Sequence, residues 1–292
     1  MRTRGDMGYR KIDQIVTAQD ASDGAGVRLR RSLGSQALGN LDPFLMLDEF
    51  RSDEPSDYLA GFPDHPHRGF ETVTYMLAGT MQHADHLGNE GRLTAGAVQW
   101  MTAGKGIVHS EMPQQESGLL WGFQLWINLS ARLKMTAPRY QDIPAEEVPV
   151  WTSDTGVRVK VIAGTSKGVA GPVGGISTAP IYLDVSVPRG SRFEQEIPEG
   201  HNGFCYVFEG EGEFGMGPSE SGTPLGVGRL AALGDGDRVA VGAASADVRF
   251  LLLAAKPIGE PVARYGPFVM NTRAEIMQAV EDFQNGAFAV ES

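Results

Sequence analysis

Two short runs of strand-forming residues, each punctuated by glycine and each carrying a pair of metal-binding residue types two positions apart, constrain this chain more than any other feature. His65 and His67 lead into Phe70-Glu71-Thr72-Val73-Thr74-Tyr75-Met76-Leu77, rich in β-branched and aromatic residues and closed by the turn signal Ala78-Gly79-Thr80. His109 and Glu111 follow the short strand Gly96-Ala97-Val98-Gln99-Trp100-Met101 and the glycine-rich turn Thr102-Ala103-Gly104-Lys105-Gly106. Side chains at i and i+2 of a strand share a face, so each pair converges and two such strands side by side form a pincer. Three imidazoles and a carboxylate make a mixed N/O donor set suited to iron, copper, nickel, cobalt or manganese, without the thiolates of structural zinc sites. Four such ligands leave an octahedral ion two open positions. Parity alone leaves Glu71 open as the carboxylate, because it shares the face of His65 and His67 unless a bulge intervenes.

Glycine fills 38 of 292 positions, which favours many short strands joined by tight turns over long helices, so an all-β chain is expected. A length near twice that of an ordinary domain makes two domains the default. The 36 acidic residues outnumber the 25 basic ones, and the formal charge of −11 repels a phosphate backbone, so no direct nucleic-acid partner is expected. The single cysteine, Cys205, has no partner for an internal disulfide, which points to a reducing compartment. With no apolar stretch of membrane-spanning length and no signal-like start, a cytoplasmic protein without a membrane partner is expected.

Residues 11–40 read as strands around the turn-like Asp20 to Gly26 segment, and Ser52 to Asp57 reads as a loop. Leu119 to Leu129 has a period of two, with Gln124, Trp126 and Asn128 on one face that can line a cavity or a core. Residues 138–152, with Pro144 and Pro149, read as an extended connector. They separate an N-terminal domain at 1–137 from a C-terminal domain at 153–292. Turn signals recur across the two halves at a shift of about 131, but Glu196, Pro198, Val241 and Ala243 stand where the ligand pairs would fall. The second domain is therefore expected to hold no metal, and His201 to be structural. Gly210-Glu211-Gly212-Glu213-Phe214-Gly215 reads as a hairpin turn. His83, Asp85 and His86 read as a solvated strand beside the site, and Arg68 and Lys105 are the cations nearest it in sequence. At the end, Thr272-Arg273-Ala274-Glu275 has capping-box spacing, Ile276, Val280, Phe283 and Ala287 follow at helical spacing, and Asn285-Gly286 is a stop.

The run Gly61-Phe62-Pro63-Asp64-His65-Pro66-His67-Arg68-Gly69-Phe70-Glu71-Thr72-Val73, with Gln99 to Gly104 and Gly106-Ile107-Val108-His109-Ser110-Glu111-Met112-Pro113, resembles the pirin family of the cupin superfamily. The resemblance extends to Leu41 to Phe50 and to Tyr265-Gly266-Pro267-Phe268-Val269-Met270-Asn271-Thr272. It implies an all-β bicupin, two β-barrel (jelly-roll) domains with a short C-terminal helix. The N-terminal barrel would hold one divalent metal, iron as Fe2+, through His65, His67, His109 and Glu111, with Glu111 rather than Glu71 as the carboxylate. In pirin-like proteins the arm before the C-terminal helix returns to the N-terminal domain. Three functions fit the resemblance. The first is a quercetin 2,3-dioxygenase-like oxidoreductase that cleaves flavonols with O2, with Glu111 also accepting a proton. The second is a non-enzymatic, iron-dependent and redox-sensitive regulator whose partner is a transcription protein. The third is a structural or storage role for the metal.

Overall fold

The computed structural model describes residues 8–217, 220–243 and 245–289. Antiparallel strands dominate, one α-helix lies near the C-terminal end, and two cupin domains make up the chain. No helix among the described residues is long and apolar enough to cross a membrane.

The chain divides into two compact units whose termini are exchanged. One takes the described residues up to Ala18 together with Glu147–Pro257, and the other takes Gln19–Glu146 with the described residues from Ile258 onward. The change of unit at Glu147 lies inside the 138–152 segment, but the expected spans 1–137 and 153–292 are corrected at both ends. Strand pairing is the cause. Ile12–Thr17 hydrogen-bonds antiparallel to Arg229–Leu233, so the first strand completes the sheet of the C-terminal cupin. The hairpin Ala263–Tyr265/Phe268–Met270 and the helix Arg273–Gln284 belong to the unit that carries the histidine pairs. The connector also proves structured, since Arg139–Ile143 pairs with Val98–Thr102 as an edge strand before Pro144 ends it.

The histidine-bearing unit has two sheets. Seven strands run in the order Arg139–Ile143, Val98–Thr102, Phe70–Ala78, Leu120–Asn128, Phe44–Ser52, Val27–Leu33, Gln19–Asp23. Four run in the order Phe62–His67, Ile107–Pro113, Met81–Asp85, Glu90–Leu93. Both contribute to one core, in which Phe50, Met76 and Leu120 meet Met81 and Leu93. The other unit is built on a ten-stranded sheet around Val159, Leu183, Cys205, Phe250 and Leu252. Burial there pushes the Cys205 thiol well above its usual range, which makes it inert.

Two sequence expectations on local structure need correction. The stretch around Gly210 is not a hairpin turn but the interior of the 13-residue strand Asn202–Phe214. A bulge between Val207 and Glu209 and a positive φ at Gly210 bend that strand, so it pairs with Val248–Ala255 at one end and Thr223–Gly226 at the other. Nor is Met81–Asp85 a solvated strand, because His83 is 1% exposed. The capping box forms as expected: the Thr272 hydroxyl accepts from the Glu275 amide at 3.2 Å, and Glu275 Oε2 accepts from the Thr272 amide at 2.8 Å. Ile276 and Ala279 bury one face of the helix against Phe268, Met270 and Phe288.

Candidate metal centre

His65 and His67 sit on the edge strand Phe62–His67, and His109 and Glu111 on its neighbour Ile107–Pro113. His109 lies directly opposite His65 and Ile107 opposite His67, so the strand register itself gathers the rings. Their centroids are 4.7 Å (His65–His67), 4.4 Å (His65–His109) and 5.0 Å (His67–His109) apart. One ligand nitrogen from each lies within 4.8 Å of the other two, the only such group of three or more among the described residues.

The donor chemistry fits a metal. Neither ring nitrogen of His67 or of His109 completes a hydrogen bond, although all four are buried, an arrangement costly unless something else occupies the lone pairs. Burial, followed by repulsion from His109 and His65, holds His67 well below the usual histidine range, against a smaller raising effect of the Pro267 carbonyl. Burial, then His65 and His83, does the same to His109. Both imidazoles are therefore neutral at pH 7, the form that ligates. His65 Nδ1 lies 2.8 Å from the Pro63 carbonyl, which orients the ring and leaves Nε2 for the centre.

Glu111 lies outside the 4.8 Å group but lines the same cavity as His65 and His67. A register shift between His109 and Glu111 sets Glu111 opposite Phe62, so the bulge re-aims it relative to the edge strand. Its carboxylate is contacted on both oxygens: Gln124 Nε2 donates to Oε2 at 3.0 Å, and the Thr74 hydroxyl stands 2.8 Å from Oε1. That hydroxyl is also 2.6 Å from Gln124 Oε1 and gives its single hydrogen to one of the two. Glu71 is elsewhere. The strand ends at His67, and Gly69, at φ +88° and with the Val269 carbonyl crowding the place where a Cβ would stand, turns the chain into the other sheet. Parity does not survive that turn. Glu71 accepts from Thr102 Oγ1 at 2.8 Å, and burial raises its pKa.

The cavity holds about 560 Å³, and Leu29, Met46, Phe50, Phe62 and Trp126 give it apolar walls. A concavity of about 850 Å³ beside His201 in the other unit is larger, but it faces no cluster of metal-ligating atoms among the described residues. Chemistry therefore favours the smaller one. Of the face Gln124, Trp126 and Asn128, the first two line the cavity, while Asn128 accepts from Lys134 Nζ at 2.7 Å. Arg68 does not reach toward a substrate. It is 5% exposed, bonds Asp282 at 2.6 Å and lies 4.3 Å over the Phe288 ring, so it anchors the C-terminal helix.

Sequence reading missed a polar cluster behind Glu111. Against Met81–Asp85 the register is regular, and His83 stands opposite Glu111 on the same face. His83 stacks on Tyr140 at 5.6 Å, its Nε2 is 3.5 Å from Asp142 Oδ1, and the missing side chain of Gly91 makes room for the ring. The signal available was the i+2 spacing of His83 and Asp85 on a second strand.

A jelly-roll domain with three converging imidazoles over an apolar cavity defines a metal-binding cupin, here in a bicupin chain. The profile of the pirin domain matches residues 26–127, and that of the pirin C-terminal cupin domain matches residues 182–289. A pirin-like protein of Caulobacter vibrioides is 52% identical over 97% of this chain and 100% of its own length. Human pirin is 44% identical over 94% of this chain and 93% of its own. The chain belongs to the pirin family. The crystal structure of quercetin 2,3-dioxygenase from Acinetobacter baumannii superposes with a TM-score of 0.87, at 33% identity, covering 96% of this chain and 99% of that one.

Proposed function

We propose that the protein is a mononuclear-iron dioxygenase that opens the heterocycle of flavonols with O2 and releases carbon monoxide, with Glu111 as fourth ligand. The observation that carries this reading is a triad of converging imidazoles at the end of an apolar cavity large enough for a flat three-ring molecule. The likeness to the Acinetobacter baumannii quercetin 2,3-dioxygenase supports it.

Bound at the triad, Fe2+ would supply Lewis-acid activation and a template for the two reactants. The protein's share is positioning and proton transfer. Phe50, Phe62 and Trp126 lay the flat substrate against the site and exclude water. Glu111 takes the 3-hydroxyl proton at a carboxylate oxygen, and Thr74 and Gln124 keep that carboxylate aimed. Each of its oxygens retains a free lone pair beyond these bonds.

The test is flavonol loss and carbon monoxide release under air by iron-loaded wild type and Glu111→Gln, normalised to bound metal. An amide coordinates through oxygen but is a very poor base, so turnover per metal should fall by roughly 10²–10⁴-fold. Equal activity per metal would remove Glu111 as proton acceptor. No wild-type turnover across several flavonols and metals would favour instead the regulator, a metal-dependent binder of a transcription protein.

A further inference from the structure

The cavity has two arginines, and they are not equivalent. Arg31 is closed off: its Nε and Nη2 grip both oxygens of buried Asp48 at 2.8 and 2.7 Å, and Nη2 also meets Asp23 at 3.1 Å. Arg264, on the hairpin Ala263–Tyr265/Phe268–Met270, lines the same cavity but has no carboxylate within 4.0 Å among the described residues. Its guanidinium carbon lies 4.7 Å over the Trp126 ring, and its Nη2 donates to Met46 Sδ at 3.9 Å. Stacking fixes the plane of the group and leaves its N–H edge, among the described residues, with only that weak sulfur acceptor. Trp126 stands 5.3 Å from His67, so this open cation and the imidazole triad are one aromatic ring apart.

We infer that Arg264 determines specificity, reading an anionic group, a carboxylate or an ionised phenol, on an aromatic substrate whose metal-facing oxygens lie at the triad one ring-width away. This rests on the substrate-cavity reading above and narrows it to acidic aromatics. A planar guanidinium held against an indole offers paired N–H donors to a carboxylate and a flat face to a conjugated ring. A charge-assisted bond at a partly solvated rim contributes about tenfold in affinity.

Two matched ligands test it: 3-hydroxyflavone and its 4′-carboxylate, titrated without O2 against iron-loaded wild type, Arg264→Gln and Arg264→Lys, by calorimetry. Binding replaces turnover as the readout, and melting temperature and iron content check that each variant is folded and loaded. Wild type should prefer the carboxylate by about tenfold, a preference that shrinks as salt rises. Arg264→Gln should bring the ratio near one, and Arg264→Lys should keep part of it. A wild-type ratio near one, or a ratio preserved in Arg264→Gln, overturns the assignment. If flavonol turnover is intact in that case, only the role of Arg264 falls. Failure of both ligands to bind wild type overturns it together with the flavonol reading.

Discussion

His67 and His109 bring buried ring nitrogens without a hydrogen-bond partner of good geometry among the described residues to the same point. Removing either ring should therefore cost the metal first. His67→Ala and His109→Ala should each lose most of the one equivalent of iron expected per chain, measured by metal analysis of purified protein, because the remaining ligands bind it weakly. His201→Ala is the contrast. Its ring rests 3.2 Å from the Ala179 carbonyl, away from any ligand cluster, and iron content should not change. Undiminished occupancy in both triad variants, or loss in His201→Ala, would reverse the assignment. The i, i+2 spacing made the three imidazoles legible in the sequence, since period and register follow from strand geometry alone. The carboxylate was not legible: choosing Glu111 over Glu71 depends on a bulge after His109 and a sheet change at Gly69, neither of which parity can reveal.

Among the elements, the C-terminal hairpin and helix do more than close the chain. They supply Arg264, Gly266 and Pro267 to the cavity wall, and Asp282 holds Arg68 next to His67. One of their attachments runs through Lys134, whose Nζ donates to Gly69 O at 2.8 Å, Asn128 Oδ1 at 2.7 Å and Val269 O at 2.9 Å. All three acceptors are uncharged, so desolvation prevails and lowers the Lys134 pKa from 10.5 to about 8. The unfolded chain then binds more protons than the folded one between about pH 8 and 10.5, and this residue's contribution to stability rises with pH across that window. Lys134→Met should lose that dependence. It should also destabilise at neutral pH by about 2–4 kcal/mol, because three buried carbonyls lose their donor. Urea unfolding of both proteins from pH 7 to 10 measures the two effects, and parallel pH curves would refute the linkage. Capping-box spacing announced the helix, but nothing local in the sequence announced Lys134, whose three acceptors lie 6, 65 and 135 residues away.

At the scale of the molecule, the exchange of termini makes the two halves of the sequence unequal to the two folded units. Sequence repeat and a proline-rich connector locate the middle of the chain well, because turns and linkers are local signals. The ends pair over more than 200 residues, as Val16 does with Leu230, and leave no local trace. The consequence is asymmetric and testable by truncation. Deleting residues 1–18 strips a partner strand from Arg229–Leu233 and exposes an unpaired edge in the C-terminal cupin, but it removes no residue of the histidine unit. New protease cleavage should appear within 147–257 while iron content per chain holds. Ending the chain at Pro257 does the reverse. It removes the Val269 acceptor of Lys134, the Asp282 partner of Arg68 and the Arg264 and Pro267 wall of the cavity, so iron binding should fall although all four proposed ligands remain. Peptide mapping of limited proteolysis, with metal analysis of each truncation, separates the cases. If deletion of 1–18 lowered iron as much as truncation at Pro257, the division of labour between the two units would be wrong.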